Sequence, residues 1–137
     1  MRWVVDASVA VKWIIAEERE EAADSLLSHG EMRSAPDLLL VEVANVLRNK
    51  LSKGQISLPH AQTGFRFVAS AMTSLVPDRE LVGRALDIAA ELEHPVYDCM
   101  YIACAERENT KVVTADARFK RRTAQSRYAT LVESLPI

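Results

Sequence analysis

The sequence predicts an α/β domain built on a parallel sheet, and three observations carry that reading. Short β-rich runs, Arg2–Val5 (RWVV) and Lys111–Thr114 (KVVT) foremost, alternate with stretches of helical periodicity. The helical stretches are long enough to serve as crossovers, so the strands pair in parallel with helices over both faces of the sheet. The third observation is size and composition: 137 residues, 49% apolar and 26% charged, match one globular domain and exclude disordered or collagen-like chains. No repeat, low-complexity stretch or linker interrupts residues 1–137, which are read as a single domain.

The elements follow in order. Arg2–Val5 is a first strand ending at Asp6. Ser8–Ile15 reads as a helix and Glu17–Ser28 as a second, its acidic start matching the helix dipole; His29-Gly30 stops it. Arg33–Ala35 is a short strand. Pro36-Asp37 then opens a long helix to about Lys53, closed by Gly54. A helix from about His60 to Ala69 is weakened by Gly64. Thr73–Val76 reads as a strand and Arg79–Glu91 as a helix. His94-Pro95 is a turn before a helix from about Asp98 to Glu108. Lys111–Thr114 is a buried strand, followed by a short basic helix, and Thr130–Val132 is the last strand.

Charge and cysteine content narrow the function classes. Seventeen Lys and Arg against nineteen Asp and Glu give a net charge of -2, which argues against nucleic-acid binding by global charge and leaves a local basic patch open. No apolar stretch is long enough to span a bilayer, and Asp6 and Lys12 interrupt the apolar start, so neither a membrane span nor a signal peptide is expected. Cys99 and Cys104 match no redox or zinc spacing and read as reduced, buried thiols. His29, His60 and His94 are scattered. A cytoplasmic protein is expected.

Four carboxylates stand out. In open parallel sheets, ligands bind beyond the carboxyl ends of the strands. Asp6 follows RWVV and Asp116 follows KVVTA, Asp98 begins a helix after a turn, and Glu42 lies one turn inside the long helix. Converging on one edge, these acids repel unless a cation neutralises them. With only oxygen ligands on offer, that cation is Mg2+ or Mn2+ in preference to Zn2+, and metal-assisted phosphodiester hydrolysis is the natural chemistry. Plainer readings stand beside this one. Asp6, Asp98 and Asp116 precede helices, where an Asp N-cap is worth about 1 kcal/mol. Glu42 shares a face with Asn45 and Asn49, which reads equally as a solvent stripe, although its apolar neighbours predict a mostly buried helix in which a Glu needs a partner. Ser8 and Thr114, each two residues from a strand-end Asp, either orient a carboxylate or a metal-bound water, or satisfy local backbone.

The blocks VVDASVAVKWIIAEE, APDLLLVEVANVLRNKL and YDCMYIACAERENTKVVTADARF resemble the PIN-domain family, and within it the VapC-type toxin ribonucleases of bacterial toxin–antitoxin pairs. The resemblance runs from Arg2 to about Phe119. It implies a three-layer α/β/α sandwich with a central parallel sheet and an acidic, Mg2+- or Mn2+-dependent site that cleaves RNA. The family's catalytic acids fall on Asp6, Glu42, Asp98 and Asp116. Asp6, Asp98 and Asp116 are expected to bind the metal directly or through water, and Glu42 to complete the coordination or orient the attacking water. Ser8, Asn45 and Thr114 match supporting polar positions. A further acid found in some relatives after the TAD block is replaced here by Ala117, Arg118 and Phe119.

Between Lys111 and Arg127 stand six cations against one acid, Asp116. Arg118, Lys120, Arg121 and Arg122, with Lys12 and Arg48 at the rim, are the candidates to grip RNA phosphates; a solvated basic helix end is the plainer reading. The resemblance further implies a homodimer and a VapB-type antitoxin whose tail enters the active-site groove. Val11, Ile14, Ile15, Leu47 and Leu51 are candidates for the groove or the core. The alternative function is a catalytically inactive PIN-like scaffold that acts by binding protein or RNA. A phosphatase of the haloacid-dehalogenase type would need a second Asp where Ser8 stands.

Overall fold

In a computed structural model, which describes residues 1–15 and 18–136, the five strands form one sheet in the order β3-β2-β1-β4-β5, every neighbouring pair parallel. The strands are β1 (Arg2–Val5), β2 (Met32–Pro36), β3 (Ser74–Val76), β4 (Lys111–Thr114) and β5 (Val132–Ser134). β1 lies at the centre, and Val5 pairs with Val113 of β4. The chain leaves β1 toward β2 on one side and leaves β4 toward β5 on the other. The strand order therefore reverses between β1 and β4, where a doubly wound sheet opens a crevice at its carboxyl edge. Both strands read as unbroken apolar runs because Val4, Val5, Val112 and Val113 are buried under helices on both faces.

Seven α-helices complete the three-layer sandwich among the described residues: α1 (Ala7–Ala10), α2 (Glu20–Ser25), α3 (Leu38–Ser52), α4 (Leu58–Ala71), α5 (Val82–Leu92), α6 (Val96–Arg107) and α7 (Ala117–Ala124). The central one is α6. It packs on α5 and across β1, β2 and β4, and its residues from Cys99 to Ala105 are all buried. Both thiols lie in this stretch, unpaired, as expected.

Several boundaries differ from the sequence reading. The first helix is a single α-turn, Ala7–Ala10, that tightens into a 3-10 turn over Val11–Trp13. The second spans Glu20–Ser25; its expected start at Glu17 lies outside the described residues. α3 begins at Leu38, whose N–H is satisfied by Asp78 Oδ1 from across the sheet edge (3.0 Å). α4 starts two residues earlier than expected because Ser57 caps it, accepting from His60 N, with Pro59 in its first turn. Gly64 does not break α4. The Ile14 side chain packs directly on it, and a Cβ there would stand 2.3 Å from Ile14 Cγ2. α5 begins at Val82, after a 3-10 turn over Asp78–Glu80. The last strand is displaced to Val132–Ser134, because Thr130 and Leu131 belong to the 3-10 turn that brings the chain to the sheet edge.

The expectation that α3 is mostly buried is also corrected. It buries one stripe, Leu39, Val43 and Leu47, and leaves Val41 66% exposed.

Candidate active site

The two central strand ends are tied together through Asp6. Its backbone N–H reaches Val113 O across the β1–β4 ladder (3.3 Å), and its side chain caps α1 by accepting from Ser8 N (2.7 Å). Ser8 Oγ donates to Asp6 Oδ1, and Thr114 Oγ1 donates to Asp6 Oδ2 at 2.6 Å. Each hydroxyl then accepts a backbone N–H from the turn beyond β4: Ala115 N on Ser8 Oγ (2.9 Å) and Asp116 N on Thr114 Oγ1 (3.0 Å). The carboxylate and the backbone readings of Ser8 and Thr114 therefore hold at once. The same oxygens orient a carboxylate and satisfy the backbone that carries the next one.

Asp116 caps α7, its Oδ1 accepting from Arg118 N (2.9 Å) and Phe119 N (3.3 Å). Asp98 is not a cap. α6 begins two residues before it, at Val96, so Asp98 sits in the first helical turn and its Oδ2 meets His94 Nε2 at 2.6 Å. Glu42, half-buried on α3, has the partner its position calls for: Tyr101 OH on α6 donates to its Oε1 at 2.5 Å. Asp6, Ser8, Glu42, Asp98, Tyr101 and Asp116 line one small cavity of about 100 Å3 at the carboxyl edge of the sheet. Asp98, Glu42 and Asp116 each commit one carboxylate oxygen to a donor within the described protein, while Oδ1, Oε2 and Oδ2 respectively have none.

Electrostatics set the character of this cavity. Burial pushes the Asp6 carboxyl up to about 6, the hydrogen bonds from Ser8 and Thr114 pull it back, and the charge of Asp98 adds to the rise. Burial also raises Glu42, against the Tyr101 hydrogen bond and with the help of Asp98. Among the described residues no lysine or arginine lines the cavity, so a cation would relieve both groups. No three Asp, Glu, His or Cys side chains close into a ready-made cage among the described residues. The donors that line the cavity, four carboxylates with the Ser8 and Tyr101 hydroxyls, are all oxygen and fit a hard cation such as Mg2+ or Mn2+.

Comparison with known proteins gives the family and the fold. The PIN domain family model matches residues 3–124. The chain belongs to the PIN-domain family. A curated relative, Ribonuclease VapC3 from Pyrobaculum aerophilum, is 30% identical over 118 residues, which cover 85% of this chain and 90% of that protein. The crystal structure of PAE2754 from Pyrobaculum aerophilum superposes with a TM-score of 0.73 at 20% identity, over 98% of this chain and 90% of that one, and shares the fold.

The basic residues of this PIN domain are sorted by helix phase. Arg118, Arg121 and Arg122 stand exposed on one face of α7, where they line a groove of about 630 Å3 with His94, Gln125 and Ser126 and, across from them, Glu91 and Glu93. Arg122 also donates to Glu93 O (2.8 Å). Lys120 is corrected: it lies on the opposite phase of α7 and its Nζ donates to Val132 O of β5 (2.5 Å). Lys12 is corrected too, since it is buried, 8% exposed, in the 3-10 turn after α1 and does not stand at a rim. Lys111 and Arg127 are paired with Glu133 and Glu91. Asn45 is exposed on α3 and outside the cavity lining. Arg48, also exposed, lines a second groove between α3 and α4 with Leu47, Leu51, Leu58 and Phe65.

Two residues escaped the sequence reading, His94 and Tyr101. Their signal was present: with Asp98 they fall at i-4, i and i+3, the spacing of one helix face. The turn-forming His94-Pro95 pair concealed the first, and the apolar run from Cys99 to Ala105 the second.

Proposed function

We propose that this PIN domain is a VapC-like ribonuclease that hydrolyses RNA phosphodiester bonds with Mg2+ or Mn2+ as cofactor. The observation that carries the reading is the cavity in which Asp6, Glu42, Asp98 and Asp116 meet beyond β1 and β4. Asp6, Asp98 and Asp116 would hold the cation, which when bound supplies Lewis-acid charge for the phosphoryl oxygens and acidifies a water. Ser8 and Thr114 keep Asp6 oriented by donating to both of its oxygens. Glu42, held by Tyr101, orients the attacking water with its unoccupied oxygen. The groove lined by Arg118, Arg121 and Arg122 binds flanking phosphates, which accounts for RNA binding at a net charge of -2.

The VapC likeness supports a small antitoxin of VapB type as partner, with the apolar groove between α3 and α4 as its seat for an amphipathic helix. A homodimer and a cytoplasmic location belong to the same reading; no helix of the described residues is long and apolar enough to cross a membrane. The test is cleavage of cellular RNA by purified, antitoxin-free protein. Activity with Mn2+ or Mg2+, lost in EDTA and in folded Asp6→Asn and Asp98→Asn variants, is expected. An Asp6→Asn variant that remains toxic to cells would favour a binding scaffold instead.

A further inference from the structure

His94 is held more tightly than a surface turn requires. Glu93 takes the left-handed conformation (φ 53°) that ends α5, and His94 N closes that helix by donating to Ala89 O (3.1 Å). Pro95 then starts α6 at once. The imidazole is only 9% exposed and stacks on the fully buried Phe119 of α7, with ring centroids 6.0 Å apart and planes 15° from parallel. Three helices thus fix one ring. Its Nε2 stands 2.6 Å from Asp98 Oδ2. A carboxylate has no proton to give, so Nε2 carries the hydrogen and donates. The ring also lines the arginine groove, while its partner Asp98 lines the acid cavity.

We propose that His94 is a positioning residue for the metal site: its Nε2–H fixes Asp98 Oδ2, which leaves Oδ1 as the oxygen available to the cation. Partners that orient a ligating carboxylate are worth about 10- to 100-fold in metal affinity or activity. Asp98 needs such a partner more than Asp6 or Asp116. Those two are held by hydroxyls or backbone N–H groups at strand ends, whereas Asp98 projects from the first turn of a helix with no donor other than His94 among the described residues. The inference rests on the nuclease reading of the cavity.

Mn2+ titration by calorimetry, thermal unfolding of metal-free protein and RNA cleavage together test it on the wild type, His94→Leu and His94→Gln. Leucine keeps apolar packing against Phe119 and removes the donor. Glutamine places an N–H donor the same number of bonds from Cα. His94→Leu is expected to bind Mn2+ at least about tenfold more weakly and to lose kcat in proportion, with KM and the metal-free unfolding midpoint close to wild type. His94→Gln is expected to recover most of both. Wild-type Mn2+ affinity in His94→Leu overturns the proposal, as does tighter binding, which would make His94 a competitor for the carboxylate. Equal losses in both variants with a lowered midpoint would make it a packing residue and overturn it as well. A wild type that binds no Mn2+ and cleaves no RNA would overturn the nuclease reading itself, and this inference with it.

Discussion

The acid cavity and the arginine groove are linked through the His94–Asp98 contact yet are built on opposite principles. In the cavity, charge is fixed by elements that cannot move independently: Asp6 and Asp116 sit just beyond paired central strands, and Tyr101 and Asp98 project from the most buried helix. In the groove, Arg118, Arg121 and Arg122 extend from the exposed face of a short helix at the side of the sheet. A site that must place a cation and a water to within fractions of an ångström gains from rigid support. A surface that follows a flexible polyanion needs only density of charge.

The sharpest way to break this contrast is to compare one substitution from each region in a steady-state cleavage assay. Asp98→Asn keeps the shape and removes a charge from the cavity. It is expected to lower kcat by more than the roughly 100-fold that an outer partner is worth, with KM little changed. Arg118→Ala is expected to raise KM and leave kcat nearly intact. If both act on kcat, the groove belongs to the reacting centre and the division fails.

Stability separates the regions next. Asp6 is buried and its carboxyl is pushed from 3.8 to about 6, so the folded metal-free protein holds a proton that the unfolded chain gives up near pH 4. The stability this proton contributes is present in full below about pH 4. It is lost as pH rises to about 6 and stays lost above, a fall of about 3 kcal/mol if Asp6 acts alone. Chemical unfolding from pH 4 to pH 7 in EDTA should show this decline in the wild type and lack it in Asp6→Asn, which is expected to be the more stable protein at neutral pH. Mn2+ should restore the wild type there. Active sites commonly trade stability for function in this way. Alanine substitutions at the three groove arginines, which bury nothing, are expected to leave the decline unchanged.

What the sequence made legible follows the same division. The positions of Asp6 and Asp116 are legible because strand ends are readable: RWVV and KVVT are unambiguous runs, and the residues after them land at the carboxyl edge whatever the helix boundaries do. The fold followed from the same alternation. Element limits were off by two residues or so where capping comes from elsewhere, as with Asp78 at Leu38. Glu42 was expected to need a partner on the ground that α3 is buried. It has one, Tyr101, although α3 is half exposed, because the helix turns that side toward α6. The basic residues were counted as a run. Only the phase of α7 decides which of them face the groove, and a helix of eight residues turns Lys120 away from Arg118, Arg121 and Arg122. Burial of Lys12 was invisible for a similar reason, since the turn over Val11–Trp13 is tighter than the α-helix assumed for it.

Salt dependence measures that phase directly. In an Asp6→Asn background, where RNA is bound without being cut, each arginine that contacts a phosphate contributes about 0.7 to the slope of log affinity against log salt for single-stranded RNA. Replacing Arg118, Arg121 and Arg122 together is expected to reduce the slope by about 2 units. Lys120→Ala is expected to leave it unchanged. The ammonium of Lys120 is turned to Val132 O on the far side of α7 from the three arginines, so its removal should appear only as a lower unfolding midpoint, from the loss of that hydrogen bond. Equal slope changes for Lys120 and for a single arginine would mean that RNA wraps both faces of α7. The groove would then be one part of a broader basic surface.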